Sequence, residues 1–426
     1  MSRASPPTST SCNDRRVGVR AAANASSRAV PRIGALIFIS MIPVAMLVAP
    51  LKELIGDRFA AGSFWTHSFM SVNMIGAVVA APLIGFVSDR AARRREIAAI
   101  ALALDACLLA GMGFAPTLTW TLALRFLEGA AHILAISTLM ALAADWSPTA
   151  RRGRTMGVVG ASLMLGTACG TRLGGVVWSR VPDWTFFVAA IVSATAAVGV
   201  MLLLCDAPTS TRTRTRISDA ALLVRRHPRL LVPFAYAFID RFCVGVIIST
   251  FVLFLADVHG LGPDERSRLL LMFLAPFALL VYPAGRLTDR WGRIWPMALG
   301  SAAFGLLLAS YGVVPQDRLT AIMVLSGVAS AIMFAPNLAL CADFAPSDQR
   351  GAAFTGFNVA GSLGFILGPL SAGLLFSALA EDGPRDWAYR ITLLAAGWTE
   401  ILCAAITLPF LLAAQRRLAG SRQATP

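Results

Sequence analysis

Charge is scarce in this chain. Only 14% of its 426 residues are Asp, Glu, Lys or Arg and 57% are hydrophobic, whereas a soluble domain carries about 25% charged residues. With a mean hydropathy of +0.69, this excludes an ordinary soluble domain and points to helices that face hydrocarbon. Acids are the scarcer sign, 23 against 37 Lys and Arg, for a net charge of +14. The basic residues do not gather into the continuous face that nucleic acid requires. They fall in short clusters between long apolar runs, as topology signals do, so no nucleic-acid partner is expected.

Other absences narrow the chemistry. The seven cysteines (Cys12, Cys107, Cys169, Cys205, Cys243, Cys341, Cys403) include no CxxC and no ligand spacing, so neither a disulfide nor a metal is expected. No G-x-x-x-x-G-K-[ST] loop occurs, which argues against ATP drive, and no cofactor is implied. His67, His132, His227 and His259 are scattered, with no Ser/His/Asp or Cys/His arrangement. No catalytic residue is expected and the chain does not read as an enzyme. No apolar core precedes Arg32, so a cleaved secretory signal is not expected. Residues 1–32, rich in Ser, Ala and Arg, read as a disordered cytoplasmic tail, with an organellar transit peptide as the alternative.

What the chain has is twelve apolar segments: 33–55, 65–87, 97–115, 118–142, 154–179, 184–205, 231–256, 267–288, 295–314, 319–342, 352–379 and 388–413. Each is near the roughly 20 residues that a spanning helix needs, which predicts an all-α membrane protein. The eighth, with Pro276 and Pro283, and the long eleventh are the least regular; a bundle tolerates both, because neighbouring helices re-satisfy freed backbone groups. One set of alternate loops and the tails hold 25 of the 37 Lys and Arg. Positive loops stay inside, so both termini are expected in the cytoplasm, with the chain in the cell's inner membrane. The stretch 206–230 is the only long polar segment between spans, and it ends in Arg225-Arg226-His227-Pro228-Arg229. Such a polybasic stretch can rest on anionic lipid. It separates a six-helix bundle at 33–205 from another at 231–413, with a second cytoplasmic tail at 414–426.

The bundles are copies. Asp145-Trp-Ser-Pro148 followed by Arg152-Gly153 returns as Asp343-Phe-Ala-Pro346 followed by Arg350-Gly351, with both Asp and both Arg 198 residues apart. Gly166 and Gly170 return as Gly364 and Gly368 at the same offset. Between spans two and three stands Gly85-Phe-Val-Ser-Asp89-Arg90-Ala-Ala-Arg93; between spans eight and nine stands Gly285-Arg-Leu-Thr-Asp289-Arg290-Trp-Gly292-Arg293. This twice-repeated loop resembles the signature of the major facilitator superfamily of secondary transporters. The first copy departs from it at Ala92, where the family usually has Gly. Asp145 to Arg152 and Asp343 to Arg350 are similar to the family's acid-x6-Arg element, with Asp for the commoner Glu. With twelve spans and a central linker, the resemblance covers nearly the whole chain beyond the tail. It implies two pseudo-symmetric six-helix bundles that rock about a midplane site, binding a small-molecule substrate as a monomer within the lipid bilayer.

The loop also has a physical reading. Asp89 ends its helix, where a carboxylate meets the negative end of the dipole, and so needs a partner. Candidates are Arg90, Arg93, and Arg350 at the start of span eleven; Asp289 stands in the same relation to Arg152. A cytoplasmic gate is therefore expected from Gly85, Asp89, Arg90, Arg93, Asp145, Arg152, Gly285, Asp289, Arg290, Arg293, Asp343 and Arg350. The fifth span carries Gly157, Gly166, Gly170, Gly174 and Gly175 around Thr171-Arg172-Leu173. This is similar to the glycine motif of antiporters in the superfamily, with Thr171 where the family has Pro. Small residues let helices approach closely, and these glycines are expected to form a smooth face toward a neighbour in the other half. Gly364 and Gly368 repeat part of that face.

Function is expected where the copies differ. Charges inside a membrane are costly and mark pathways. Arg125, Glu128 and His132 share a helical face, and 198 residues on stand Met323, Ser326 and Ser330. Arg125-Phe-Leu-Glu128-Gly129 resembles the family's fourth-helix motif, in which an Arg is linked to proton transfer; Glu128 stands where that motif often has Gln. Asp240-Arg241 is likewise unduplicated, facing Ser40-Met41 in the first copy. Asp105, Arg172 and Glu400 complete the candidate proton and substrate pathway. Asn73, Asn337, Asn358, Trp65, Phe38 and Tyr236 are candidates to line the cavity. The expected activity is proton-coupled export of a small amphipathic organic compound by antiport. Two alternatives stand beside it: uptake of a metabolite anion or sugar by symport, which Arg125, Arg172 and Arg241 would favour, and a non-transporting membrane receptor on the same fold.

Overall fold

The fold is that of a computed structural model, which describes residues 12–90, 93–147, 152–206, 217–346 and 349–423. Every regular element among them is helical. The first bundle comprises α1 (Cys12–Met46), α2 (Ser63–Arg90), α3 (Arg94–Phe114), α4 (Leu118–Asp145), α5 (Arg152–Arg180) and α6 (Thr185–Leu203). A short linker helix, α7 (Ile217–Arg226), leads into α8 (Leu231–Val246). A π-helical stretch, Ile247–Phe251, joins α8 to α9 (Val252–Asp257), and these together make the seventh span. The second bundle continues with α10 (Pro263–Trp291), α11 (Ile294–Ser310), α12 (Leu319–Phe344), α13 (Arg350–Asp382) and α14 (Arg385–Gln423).

The twelve expected spans are all present, and α10 runs unbroken through Pro276 and Pro283. Ten helices are long and apolar enough to cross a membrane on those criteria alone. The other two spans are α11, which has 17 residues, and α5, where Arg154, Arg172 and Arg180 dilute the apolar character. Helix extends further than the composition suggested at both ends. α1 begins at Cys12, within the segment expected to be a disordered tail, and α14 continues to Gln423. Ala21-Ala22-Ala23 and Leu411-Leu-Ala-Ala414 are strong helix formers and explain the extension. The linker is likewise partly helical, at α7.

The same helices pair within each half: α1 with α5 and α8 with α13, α2 with α4 and α10 with α12, α3 with α6 and α11 with α14. The main crossings between the halves are α2 with α13 and α5 with α10. Large apolar side chains such as Leu104, Phe114, Leu202, Leu299 and Phe410 point outward, as a lipid-facing surface requires.

The halves do not meet evenly. One apolar cluster combines Met46, Leu47 and Phe69 of the first half with Phe251, Phe376 and Tyr389 of the second. It lies toward the face opposite the termini. Toward the terminal face the clusters separate, one around Ile33, Leu102, Leu139 and Val200, another around Leu230, Cys341, Ala352 and Phe357. Among the described residues, the apolar packing shared by the two bundles lies at the face opposite the termini.

Candidate functional site

α4 starts cleanly because Thr117 caps it, its Oγ1 accepting from the Trp120 amide at 3.4 Å. From there Thr121, Arg125, Glu128, His132, Ala135 and Leu139 recur every three or four residues and are all buried, so one face of α4 carries three ionisable groups into the first bundle. Two glycines set how close α2 comes to that face. A Cβ on Gly76 would lie 1.9 Å from the Phe126 carbonyl oxygen, and one on Gly129 would lie 1.8 Å from that of Asn73. Only glycine permits this crossing, and it brings Asn73 onto Glu128.

Glu128 Oε2 accepts from Asn73 Nδ2 at 2.5 Å and from Arg125 Nη1 at 2.9 Å. The Arg125 guanidinium also stacks 5.0 Å from the Phe69 ring centroid. Asp105 on α3, fully buried, accepts from Ser193 Oγ of α6 at 2.6 Å. Its other oxygen lies 3.8 Å from His132 Nδ1. The sequence places Asp105 in the candidate pathway without a partner; the structure joins it to Glu128 and His132. Nothing in the periodicity of α3 reveals this, because it depends on which face of α3 turns toward α4.

Three atoms of this group, Asp105 Oδ1, Glu128 Oε1 and His132 Nδ1, are buried without a hydrogen-bond partner among the described residues. They belong to groups whose ligand atoms all lie within 4.8 Å of one another. A small cation is within reach of such a set, and charge favours a monovalent one, a proton included. Two carboxylates, one guanidinium and a neutral imidazole sum to minus one; a single proton neutralises the set, whereas a divalent ion overshoots it. Net charge in a hydrocarbon-enclosed bundle is strongly disfavoured.

The second half keeps the scaffold but has no charge at the positions matching Arg125, Glu128 and His132, which are Met323, Ser326 and Ser330. Gly327 lies 198 residues after Gly129, and its Cβ would meet the Phe273 carbonyl oxygen at 2.3 Å, so the same crossing is built without Asn73 or Glu128. Glu400 of α14 is buried and accepts from Ser301 of α11 at 2.5 Å, between the helices that correspond to α3 and α6. Asp240 and Arg241 on α8 are half-buried, and Arg241 stacks 5.6 Å from Phe365 while packing on Gly361. Tyr236 is enclosed within the second bundle, its hydroxyl accepting from Thr407 at 3.0 Å, while Trp65 and Asn358 are exposed.

Arg172 is elsewhere. It donates to Asp264 at 2.5 Å and to Ser267 at 2.9 Å, tying α5 to α10 at the face opposite the termini. Lys52 meets Asp257 at 2.6 Å, Tyr389 donates to the same carboxylate at 2.7 Å, and Arg266 pairs with Glu53. The Lys52, Glu53 and Arg172 contacts each cross between halves. The glycine face also differs from expectation. Gly166 and Gly170 pack on Phe38 and Ile42, and Gly174 on Met46, all in α1 of the same half; Gly364 and Gly368 pack likewise on Phe238 and Phe242 of α8. Only Gly175 touches the other half, at Ser267 and Pro263 of α10, and nothing lies within 4 Å of a Cβ on Gly157. The motif's first role here is to let α5 lie against α1; helix spacing alone does not say which neighbour a small face meets.

At the terminal face, Arg94 pairs with Asp145 at 2.5 Å and Arg293 pairs with Asp343. Arg94, not Arg93, is the spatial counterpart of Arg293; among the described residues Arg93 reaches Glu96, at 3.4 Å on the exposed surface. Gly85 lies within α2 and Gly285 within α10, and Arg290 and Arg350 are exposed. The side chains of Asp89, Arg90, Arg152 and Asp289 lie outside the described residues.

Comparison with known proteins agrees with this architecture. The Major Facilitator Superfamily profile matches residues 33–264 and 234–425. The chain is 28% identical over 288 residues to the class B tetracycline resistance protein of Escherichia coli, covering 62% of this chain and 68% of that one. It is 36% identical over 104 residues to the probable actinorhodin transporter of Streptomyces coelicolor, a match spanning 24% of this chain and 18% of that relative. Among solved structures, a bacterial homologue of the human lysosomal transporter Spinster, inward-facing and unoccupied, superposes with a TM-score of 0.77 at 15% identity, covering 90% of this chain and 96% of that one. The nucleoside transporter NupG gives 0.74 at 14% identity, covering 90% of this chain and 98% of that one. The chain is a multi-pass membrane transporter that belongs to the major facilitator superfamily.

Proposed function

We propose that this transporter couples proton entry to export of a small amphipathic organic compound. The observation that carries the reading is the buried set Asp105, Glu128 and His132, with its three unpaired atoms beside Arg125. A proton taken up there makes the set neutral; its release leaves a charge that the site must settle by rearranging. That gives a change of conformation something to respond to, as alternating access requires. Export is favoured by likeness to a tetracycline resistance protein and to the multi-drug resistance efflux pump PmrA of Streptococcus pneumoniae, 26% identical over 135 residues.

On this reading the chain is a monomer in the inner membrane with both termini in the cytoplasm. The face closed by Lys52–Asp257, Arg266–Glu53 and Arg172–Asp264 is then external. Loading from the cytoplasm would be followed by rocking, with the external pairs broken and the Asp89 and Asp289 loops closing against the other half. Asp240, Arg241 and Glu400 form a second, separate set of ionisable groups along the path.

The test is proton flux in proteoliposomes with an imposed pH gradient, using tetracycline and a panel of amphipathic cations. Compound-dependent proton movement opposite to the compound is expected, lost in Glu128→Gln and Asp105→Asn. Movement in the same direction would identify symport instead. No compound-dependent flux for any probe, with the protein folded, would leave the receptor reading.

A further inference from the structure

A crevice of about 590 Å³ opens between the start of α8 and the ends of α12 and α14, at the terminal face and within the second bundle. Its size suits a small ligand or part of a lipid. It is distinct from the buried Asp105–Glu128 set, which lies in the first bundle. Its walls include Leu231, Ala235, Phe344, Ile406 and Phe410. Leu231, Ile406 and Phe410 are 55%, 63% and 66% exposed, so the crevice faces hydrocarbon, not the space between bundles. The one hydroxyl in the lining, Thr407, is already committed to Tyr236 and to the Cys403 carbonyl.

Among the described residues, one charged side chain lines it. Arg229 is exposed and has no ion-pair partner among the described residues. Arg225 and Arg226, in the last turn of α7 immediately before it, are exposed and equally unpaired among the described residues. Buried Leu223 packs in the cluster of Ala352, Ala353 and Phe357, which fixes α7 on α13 and holds this basic end beside the bundle. The nearest acid in sequence to the walls, Asp343, is taken by Arg293. An apolar slot open to lipid, with the exposed Arg229 guanidinium at one end and Arg225 and Arg226 shortly before it in the chain, is complementary to an amphiphile with a negative head.

We propose that the crevice seats an acyl chain of an anionic phospholipid whose phosphate is held by Arg229, with Arg225 and Arg226 beside it. Basic residues at the membrane surface attract anionic headgroups, and the apolar walls add the selectivity for a chain-bearing ligand that a surface patch lacks.

The test uses the full chain in nanodiscs of phosphatidylcholine with rising phosphatidylglycerol, reading lipid retained on the released protein by native mass spectrometry. Saturable retention of phosphatidylglycerol over phosphatidylcholine is expected. Arg229→Gln should weaken it about fivefold, the loss of one basic contact, and Ala235→Trp should abolish it by filling the slot. Arg318→Gln, exposed on the opposite face, should leave it unchanged, and glycerol phosphate should not compete. Equal retention in wild type and Arg229→Gln, equal loss in Arg318→Gln, or no preference for the anionic lipid would each overturn the proposal. Arg229→Gln keeps the test decisive if Ala235→Trp does not fold.

Discussion

Arg172 Nη1 stands 2.5 Å from Asp264 Oδ1, and this contact crosses from the first bundle to the second. Asp264 also holds Arg268 at 2.6 Å, so Asp264→Asn removes the carboxylate that two guanidinium groups share. Both partners are about a quarter exposed, and solvent screens such pairs to roughly 0.2–1 kcal/mol. Amide exchange at the facing ends of α5 and α10 should therefore rise about two- to fivefold in nanodiscs. Unchanged exchange would mean that the apolar cluster closes that face unaided.

Gly175 and Gly157 lie on one helix but should respond oppositely to added bulk. A Cβ at Gly175 would fall 2.3 Å from Ser267 Oγ and 2.4 Å from the Pro263 carbonyl oxygen. Gly175→Val should wedge the bundles apart at the closed face, costing about 1–3 kcal/mol, whereas a Cβ at Gly157 has no neighbour within 4 Å among the described residues. Solvent labelling of a cysteine placed at Ser63 should rise in the first variant and stay at the wild-type level in the second.

The Arg125–Glu128 pair is almost fully enclosed, at 2% and 0% side-chain exposure. Removing one partner of a buried pair strands the other at about 3–5 kcal/mol, while removing both costs far less. Arg125→Gln should lower the melting temperature more than the double variant Arg125→Gln/Glu128→Gln does. A double variant as unstable as the single one would show that the pair is not the source of the cost.

At the terminal face, Arg94→Gln should match Asp145→Asn in lowering transport, and combining them should add little, because both act through one contact of 2.5 Å. Arg93→Gln should stay near wild-type transport, since an exposed pair contributes about 0–1 kcal/mol. Initial transport rates of the four variants check this, and a larger loss from Arg93→Gln than from Arg94→Gln would contradict the assignment.

Much of the site was legible along single helices. The three- and four-residue spacing that puts Arg125, Glu128 and His132 on one face is a property of the α-helix, and their absence from the second copy at Met323, Ser326 and Ser330 is visible without coordinates. What spacing could not give was the partner across the gap. Asn73 reaches Glu128 because Gly76 and Gly129 let two backbones touch, and Asp105 joins because α3 turns that face inward. The sequence points to Arg93 for the gate; that its neighbour Arg94 meets Asp145 depends on how α3 turns these side chains, which consecutive arginines do not reveal.

The chain's apolar runs, its basic loops and its 198-residue repeat determined a two-bundle membrane protein, because hydrocarbon forces each run into a helix and the copies must fold alike. Tertiary structure alone decided that Gly166, Gly170 and Gly174 serve contact within a half. It also decided that Arg172 ties the halves together and that Asp105 completes the buried set. Helical periodicity fixes the direction of a side chain about its own axis, but the rotation and approach of one helix against another come from close packing summed over the whole bundle.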